Sequence, residues 1–480
     1  MKITAWIKIL SRLATFGILY MLLTIPDSNS ISNIEESIQW DESNLVGGWQ
    51  DIESSIQQAN GMEVYGIDSL AMHEVSLIRQ MLNSAKGNVI APTDDLLDSM
   101  DQRLIESTGI VASTHQSDKF IGYLLEWIAL LKNQAMFWDL TNPDQKAKLF
   151  NLIDHSRGMI TMLELQSSAK QEVIQVNNPP RSFTDAIYYQ GVTLHSGDIV
   201  VSNYRNYLPY YSLSKAKSGY FSSCGIIYVK DNQGLIVCMD PKDDLIEVSL
   251  DDYFQQTKSP SIILRPRADL PELISDPILP AKAAFNAHGL ISKEIAYDYR
   301  YNPKNSKALY STELIQLVYS QAGIKIGTSF SEITDGKYLR PLKALDVEST
   351  GAIMPYEYLI DPRLSEVAEV FKSEWTEIIL EQYVSAEKSL FLINNDLIRG
   401  IRWKLPFLRV EKGYSNMMYL FGLEGTLPKE LSSQAAMTYT SIERRKRAME
   451  YKVGVKAESY YKENGFRPGM ATLANLVSQE

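Results

Sequence analysis

Hydrophobic and polar residues follow two different periods along this chain. From Ile31 to about Val176 apolar residues recur at three- and four-residue spacing, which predicts a mainly helical region. Leu70 to Leu82, Leu124 to Met136 and Ala147 to Leu165 carry the pattern best. Thr93-Asp94-Asp95 suits a helix start, because acidic side chains favour the positive end of the helix dipole. Asn142-Pro143-Asp144 breaks the pattern. After Asn177-Asn178-Pro179-Pro180 the segments shorten. Asp198 to Ser202, Cys224 to Lys230, Leu235 to Met239, Leu245 to Val248 and Ser261 to Arg265 each predict a strand. Asp231-Asn232-Gln233-Gly234 predicts a turn between two of them. The helical period returns at Ala281 to Ala296 and from Ser311 to Gln321, where Leu314, Leu317, Val318 and Gln321 form one side. The stretch to about Asp361 is loop-rich, and Glu366 to Tyr383 and Ser432 to Lys456 predict further helices.

This order predicts an α+β chain. A helical region, 31–180, precedes a core, 181–330, built on a small curled antiparallel sheet, and a mainly helical extension, 331–480, follows. Residues 1–30 stand apart. Lys2, Lys8 and Arg12 precede an uncharged run from Leu13 to Ile25, which Pro26-Asp27-Ser28-Asn29-Ser30 ends. That is the pattern of a secretion signal. The run is shorter than the roughly 20 residues of a spanning helix, yet no small-x-small cleavage site stands out. A cleaved signal, a retained membrane anchor and an ordinary helix stay open. The first two imply an exported, periplasmic or membrane-associated protein.

Charge narrows the partners. The net charge of −11 argues against broad nucleic-acid binding, which needs positive surface against phosphates. Arg444-Arg445-Lys446-Arg447 has acids on both sides, Glu443 and Glu450, and reads as a solvated helix face. The aspartates 240, 243 and 244 read as a solvated hairpin edge. There is no His-Glu-x-x-His, Cys-x-x-Cys or phosphate-loop motif, so no metal or cofactor is implied. The two cysteines, Cys224 and Cys238, form either one disulfide or a pair of small buried hydrophobes.

Two stretches bear on chemistry. One is Tyr310-Ser311-Thr312-Glu313-Leu314; the other is Ser222-Ser223-Cys224-Gly225-Ile226-Ile227-Tyr228. Together they resemble the nucleophile and histidine motifs of the permuted papain-like hydrolases, the YiiX/YaeF-like relatives of the NlpC family. The resemblance is clearest over about residues 190–325. It implies a circularly permuted papain-like/NlpC-type core, with the histidine strand ahead of the cysteine helix. Papain-like catalysis needs a thiol touching an imidazole, and a third polar group to orient that imidazole. By this resemblance Ser311 stands in place of the cysteine and Ser223 in place of the histidine. The third position falls on Met239 or Asp240. Gly197-Asp198 looks like the pair that leads into the first core strand. Asp252 to Phe254 and Leu264-Arg265-Pro266 look like the segment that closes the sheet. Pro355, Tyr358, Asp361-Pro362, Val367, Ala368, Leu405 to Arg409 and Lys412 to Ser415 resemble, more weakly, the C-terminal extension of a longer bacterial subgroup.

The resemblance therefore implies a hydrolase scaffold that has lost its reacting groups. Its function would be binding or structural at the cell envelope, where relatives act on amide or acyl bonds. Asp198, Tyr204, Tyr297, Tyr299, Tyr310 and Glu313 would border the cleft. Tyr207, Tyr210, Tyr211 and Tyr301 extend the two tyrosine clusters. The aromatics suit an envelope peptide, a glycan or a lipid fragment, or else pack as core at a helix–sheet junction. An active amidase or acyl hydrolase would need Ser311 as nucleophile and an unrecognised base, from His195, His288 or Lys307. A third reading is a scaffold that captures a protein partner through its helical regions. Cys224 should face opposite to Ser223 on a strand. It would then point away from the cleft if Ser223 points inward.

Overall fold

The computed structural model describes residues 48–60, 66–112, 114–166, 172–177, 179–204, 221–241, 243–257, 260–305, 307–327, 336–349, 351–397, 405–421, 423, 425–427 and 431–478, with positions 15, 17, 20 and 23. Helices come first: α1 Trp49–Asn60, α2 Ile67–Ala85, α3 Asp95–Ala112, α4 Ser117–Ala135 and α5 Pro143–Gln166. The spacing of their apolar residues explains them. In α4, Phe120, Leu124, Trp127, Ile128 and Leu131 recur every three or four residues, and all are buried.

Short strands follow: β1 Glu172–Gln175, β2 Ala186–Tyr189, β3 Val192–His195, β4 Ile199–Ser202, β5 Ser223–Lys230, β6 Gln233–Asp240 and β7 Asp244–Ser249. Then come α6 Leu250–Gln256, β8 Ser261–Pro266, α7 Pro271–Ser275, α8 Leu279–Leu290, β9 Ala296–Tyr297, β10 Ala308–Leu309 and α9 Ser311–Ala322. The chain continues through α10 Gly336–Ala344, α11 Pro355–Ile360, β11 Leu364–Phe371, α12 Ser373–Leu397, α13 Leu405–Leu420, α14 Ser433–Asn464 and α15 Met470–Ser478.

Seven strands form one sheet in the order β1-β11-β8-β4-β5-β6-β7, and every neighbouring pair is antiparallel. The chain is thus a mixed α/β protein. Its sheet takes one edge strand, β1, from before residue 181, and that strand's partner, β11, from after residue 330. Asp231 and Asn232 connect β5 to β6 with φ of 51° and 60°. Both left-handed residues match the mirror-image hairpin turn that fits the twist of the strands. Gly234 lies inside β6, where a Cβ would meet Leu250 Cδ1 at 2.4 Å.

Three expectations need correction. The segment Glu366 to Tyr383 is not one helix: Leu364–Phe371 is a strand, and the helix starts at Ser373. The cause is a bulge between Glu366 and Ala368, which puts Glu366 and Glu369 on one face although they are three residues apart. Both carboxylates then reach the buried Arg157 of α5. The helix expected over 281–296 ends at Leu290 and gives way to a 3₁₀ turn, Ile291–Lys293. The stretch expected as loop before Asp361 contains α10 and α11.

The two sides of the sheet pack differently. Ile199, Val201, Cys224, Ile226, Val237, Met239, Ile262 and Leu264 join a core that includes Leu314, Ile315, Val318 and Tyr319 of α9. Val200, Ile227, Ile236, Cys238 and Ile263 face a second core with Leu250, Tyr253 and Phe254 of α6. The period-two alternation of each strand divides them. Cys224 and Cys238 are both free and buried, one in each core. Distant parts of the chain also meet. The carboxylate of Glu53 in α1 accepts the Ala471 N–H at 2.7 Å and the Thr472 N–H at 3.0 Å, capping the start of α15. Among the described residues no helix is long and apolar enough to cross a membrane, and most of the run from Leu13 to Ile25 lies outside them.

Candidate functional site

Ser311 is the first residue of α9, a position whose backbone N–H points out of the helix end. Glu313 reaches back and accepts the Tyr310 N–H at 3.3 Å, half of a capping box. Burial pushes the Glu313 carboxyl up to about 8, against the lowering effect of that hydrogen bond; the nearby Asp298 adds to the rise. At neutral pH Glu313 is therefore mostly protonated. Thr312 Oγ1 donates to the Ile353 carbonyl at 2.7 Å, and the Tyr358 hydroxyl donates to the Thr312 carbonyl at 2.9 Å. The segment 352–360 is buried throughout and covers the helix start. Ser311 is only 4% exposed, and its hydroxyl makes no hydrogen bond to any described residue.

Ser223 is elsewhere. It pairs with Ser202 across β4 and β5, one residue out of phase with Cys224. Its hydroxyl lies 3.1 Å from Ser202 Oγ, accepts the Tyr204 N–H at 2.9 Å, and shares this network with Tyr253, whose hydroxyl is 2.7 Å from Ser202 Oγ. Tyr253 belongs to the core on the far side of the sheet from α9. The sheet therefore separates Ser223 from the core that α9 joins. Cys224 takes the α9 side instead, close enough to Tyr358 to push that hydroxyl further up beyond the larger effect of burial. Burial pushes the Cys224 thiol up as well, so it stays neutral.

The remaining candidates are fixed in place. Asp198 is 1% exposed and takes both Arg265 Nε and Nη2 at 2.7 Å, a bidentate ion pair. Its carboxylate also accepts the His195 N–H at 2.8 Å. Arg265 donates on to the carbonyls of Pro180 and Thr193. Asp240 is fully buried at the β6–β7 connection, where Oδ1 accepts the Asp243 N–H at 3.2 Å. Tyr204 stacks on Tyr253 with ring centres 4.5 Å apart. Tyr297 packs on Tyr299, and Tyr301 on Tyr310, at 4.8 and 4.9 Å. The Tyr299 hydroxyl donates to the Pro241 carbonyl. These tyrosines are core at a helix–sheet junction; Tyr207, Tyr210 and Tyr211 lie outside the described residues. Each candidate base has a local partner or lies open to solvent. His195 Nδ1 is 2.9 Å from the Thr184 carbonyl, and His288 Nδ1 is 2.5 Å from Glu247 with its ring stacked on Tyr228. Lys307 is exposed.

One cluster escaped the sequence reading. Arg157 of α5 makes ion pairs with Glu366 and, at 2.7 Å, with Glu369 on β11. Lys132 of α4 is fully buried beside them, and burial lowers its ammonium to about 8 although Glu366 and Asp361 oppose the shift. The groups are too distant in sequence to form a motif. Only Lys132, at the apolar side of its helix, hinted that a charge goes inside. Among the described residues no group of three or more His, Cys, Asp or Glu side chains is arranged to hold a metal ion.

No protein-family model matches the chain, and no curated protein matches it. Among solved structures, the metalloprotein YiiX from Escherichia coli O157:H7, a DUF1105 protein, is similar at a TM-score of 0.29 and 16% identity. The match covers 36% of this chain and 95% of that one. A likeness that low says nothing of this chain's family or chemistry.

Proposed function

We propose that this chain is a catalytically silent relative of the permuted papain-like hydrolases, with a binding or structural role at the bacterial cell envelope. The supporting observation is the separation of the two expected reacting positions. Among the described residues the Ser311 hydroxyl has no hydrogen-bond partner, and the Ser223 hydroxyl is held by Ser202 and the Tyr204 backbone in the opposite core. A serine hydroxyl is a weak nucleophile without an adjacent base. Glu313, two residues along, mostly keeps its proton at neutral pH, and its carboxyl accepts the Tyr310 N–H. Burial of the expected cleft residues favours a role for the outer surfaces over one for the sealed site. A peptide, glycan or lipid fragment of the envelope, or a protein held by the helical regions, is the class of partner this reading takes. The location is exported or membrane-associated.

The test is a fluorophosphonate probe on the folded full chain. No label on Ser311 is expected, with the same background in Ser311→Ala. Stoichiometric labelling that Ser311→Ala abolishes would overturn the proposal and establish an active serine hydrolase.

A further inference from the structure

Helix α13 turns large apolar residues to solvent. Its inner positions, Leu405, Pro406, Lys412 and Ser415, are buried, and Ser415 Oγ donates to the Leu427 carbonyl at 2.9 Å. Its outer face carries Phe407, Val410, Tyr414, Met417, Leu420 and Phe421, all exposed, with Leu420 at 85%. Their steps of three and four residues make one continuous stripe. Glu411 is the single charged residue among the exposed positions of this helix. Scattered exposed apolar residues are ordinary, but a contiguous stripe of this size marks an interaction surface.

Two observations say what covers it. Arg409 Nη1 donates to the carbonyl of Leu23, a residue of the uncharged run Leu13–Ile25, at 2.8 Å, which places Leu23 against this helix. That run is 13 residues long, about 20 Å as a helix, and too short to cross a hydrocarbon layer of about 30 Å. Basic residues also stand just ahead of both segments. Lys2, Lys8 and Arg12 precede the run, and Arg402-Trp403-Lys404 precedes α13. Apolar face, flanking tryptophan and basic residues are the composition of helices that lie in a membrane interface.

We infer that the outer face of α13 binds the surface of an anionic lipid bilayer, side by side with the N-terminal apolar run. Each segment alone offers limited apolar area, and neighbours on one plane add their areas. The contact is interfacial, with the helix axis along the membrane. It holds whether or not Ser311 reacts.

The experiment uses the full chain with Met417→Cys, labelled with an environment-sensitive fluorophore. The native thiols of Cys224 and Cys238 are buried and stay unlabelled. Vesicles of phosphatidylethanolamine and phosphatidylglycerol, with and without brominated acyl chains, are added. The inference expects a blue shift and quenching by the brominated chains. It also expects Phe407→Ser/Val410→Ser/Phe421→Ser to weaken vesicle binding by at least roughly tenfold, with an unchanged circular dichroism spectrum. Vesicle binding without quenching at position 417 would overturn it, because the N-terminal run alone would then hold the membrane. So would a label already shielded from iodide without vesicles. Shielding independent of protein concentration would mean that the chain's own N-terminal run covers the face; shielding that rises with concentration would mean a second copy.

Discussion

Helices α9 and α13 are opposites. The first carries Ser311, which the sequence marks for chemistry, and it starts beneath a buried segment with the Thr312 and Glu313 side chains tied to backbone. The second carries no reactive side chain on its outer face, and it turns aromatic and aliphatic residues to solvent. Catalytic sites need access and a poised acid or base. Association needs exposed apolar area. By these two measures α9 has the burial of a packing element and α13 the exposed apolar area of an associating one.

The contrast is most severely tested through the ion pair under the sheet. Arg265→Met would leave Asp198 buried and unpaired, and should cost about 3–5 kcal/mol in denaturant unfolding. A small loss would mean that Asp198 has another role open to it. Tyr358→Phe removes the hydroxyl that holds the Thr312 carbonyl and should cost about 0.5–1.5 kcal/mol. The Glu313 carboxyl has its folded pKa raised to about 8, so between about 4.5 and that value the folded state keeps a proton the unfolded state has released. The stability contributed by this group therefore falls as pH rises through that window. Glu313→Gln should remove the fall, seen as a variant that gains thermal stability over the parent with rising pH; parallel curves would refute the shift. The smallest effects belong to α13. Val410→Ser and Phe421→Ser should each stay within about 0.5 kcal/mol of the parent in unfolding experiments, since neither side chain leaves water on folding.

Local signals carried much of the fold into the sequence. The β5–β6 hairpin was legible because Asp231 and Asn232 tolerate positive φ. Helix α9 was legible because Leu314 and Val318 keep its period and Glu313 caps it. Strand β11 was not. Glu366 and Glu369 show helical spacing, and only a bulge and an arginine more than 200 positions away turn that pattern into a buried strand. The site was legible as a set of residue types and opaque as an arrangement. Alternation told that Ser223 and Cys224 face opposite ways, but nothing in the residues told which of them shares a side with α9. The packing of Tyr253 beneath Ser202 and Ser223 decides that.

The contact of Glu53 with Ala471 and Thr472 has a consequence for synthesis. A ribosome releases the first helices hundreds of residues before the chain that completes their packing. The edge strand at 172–175 likewise waits for its partner at 364–371. Such distant pairings are slow to close, and waiting apolar surface invites aggregation. Complete packing of the first helices should therefore wait until α15 has emerged.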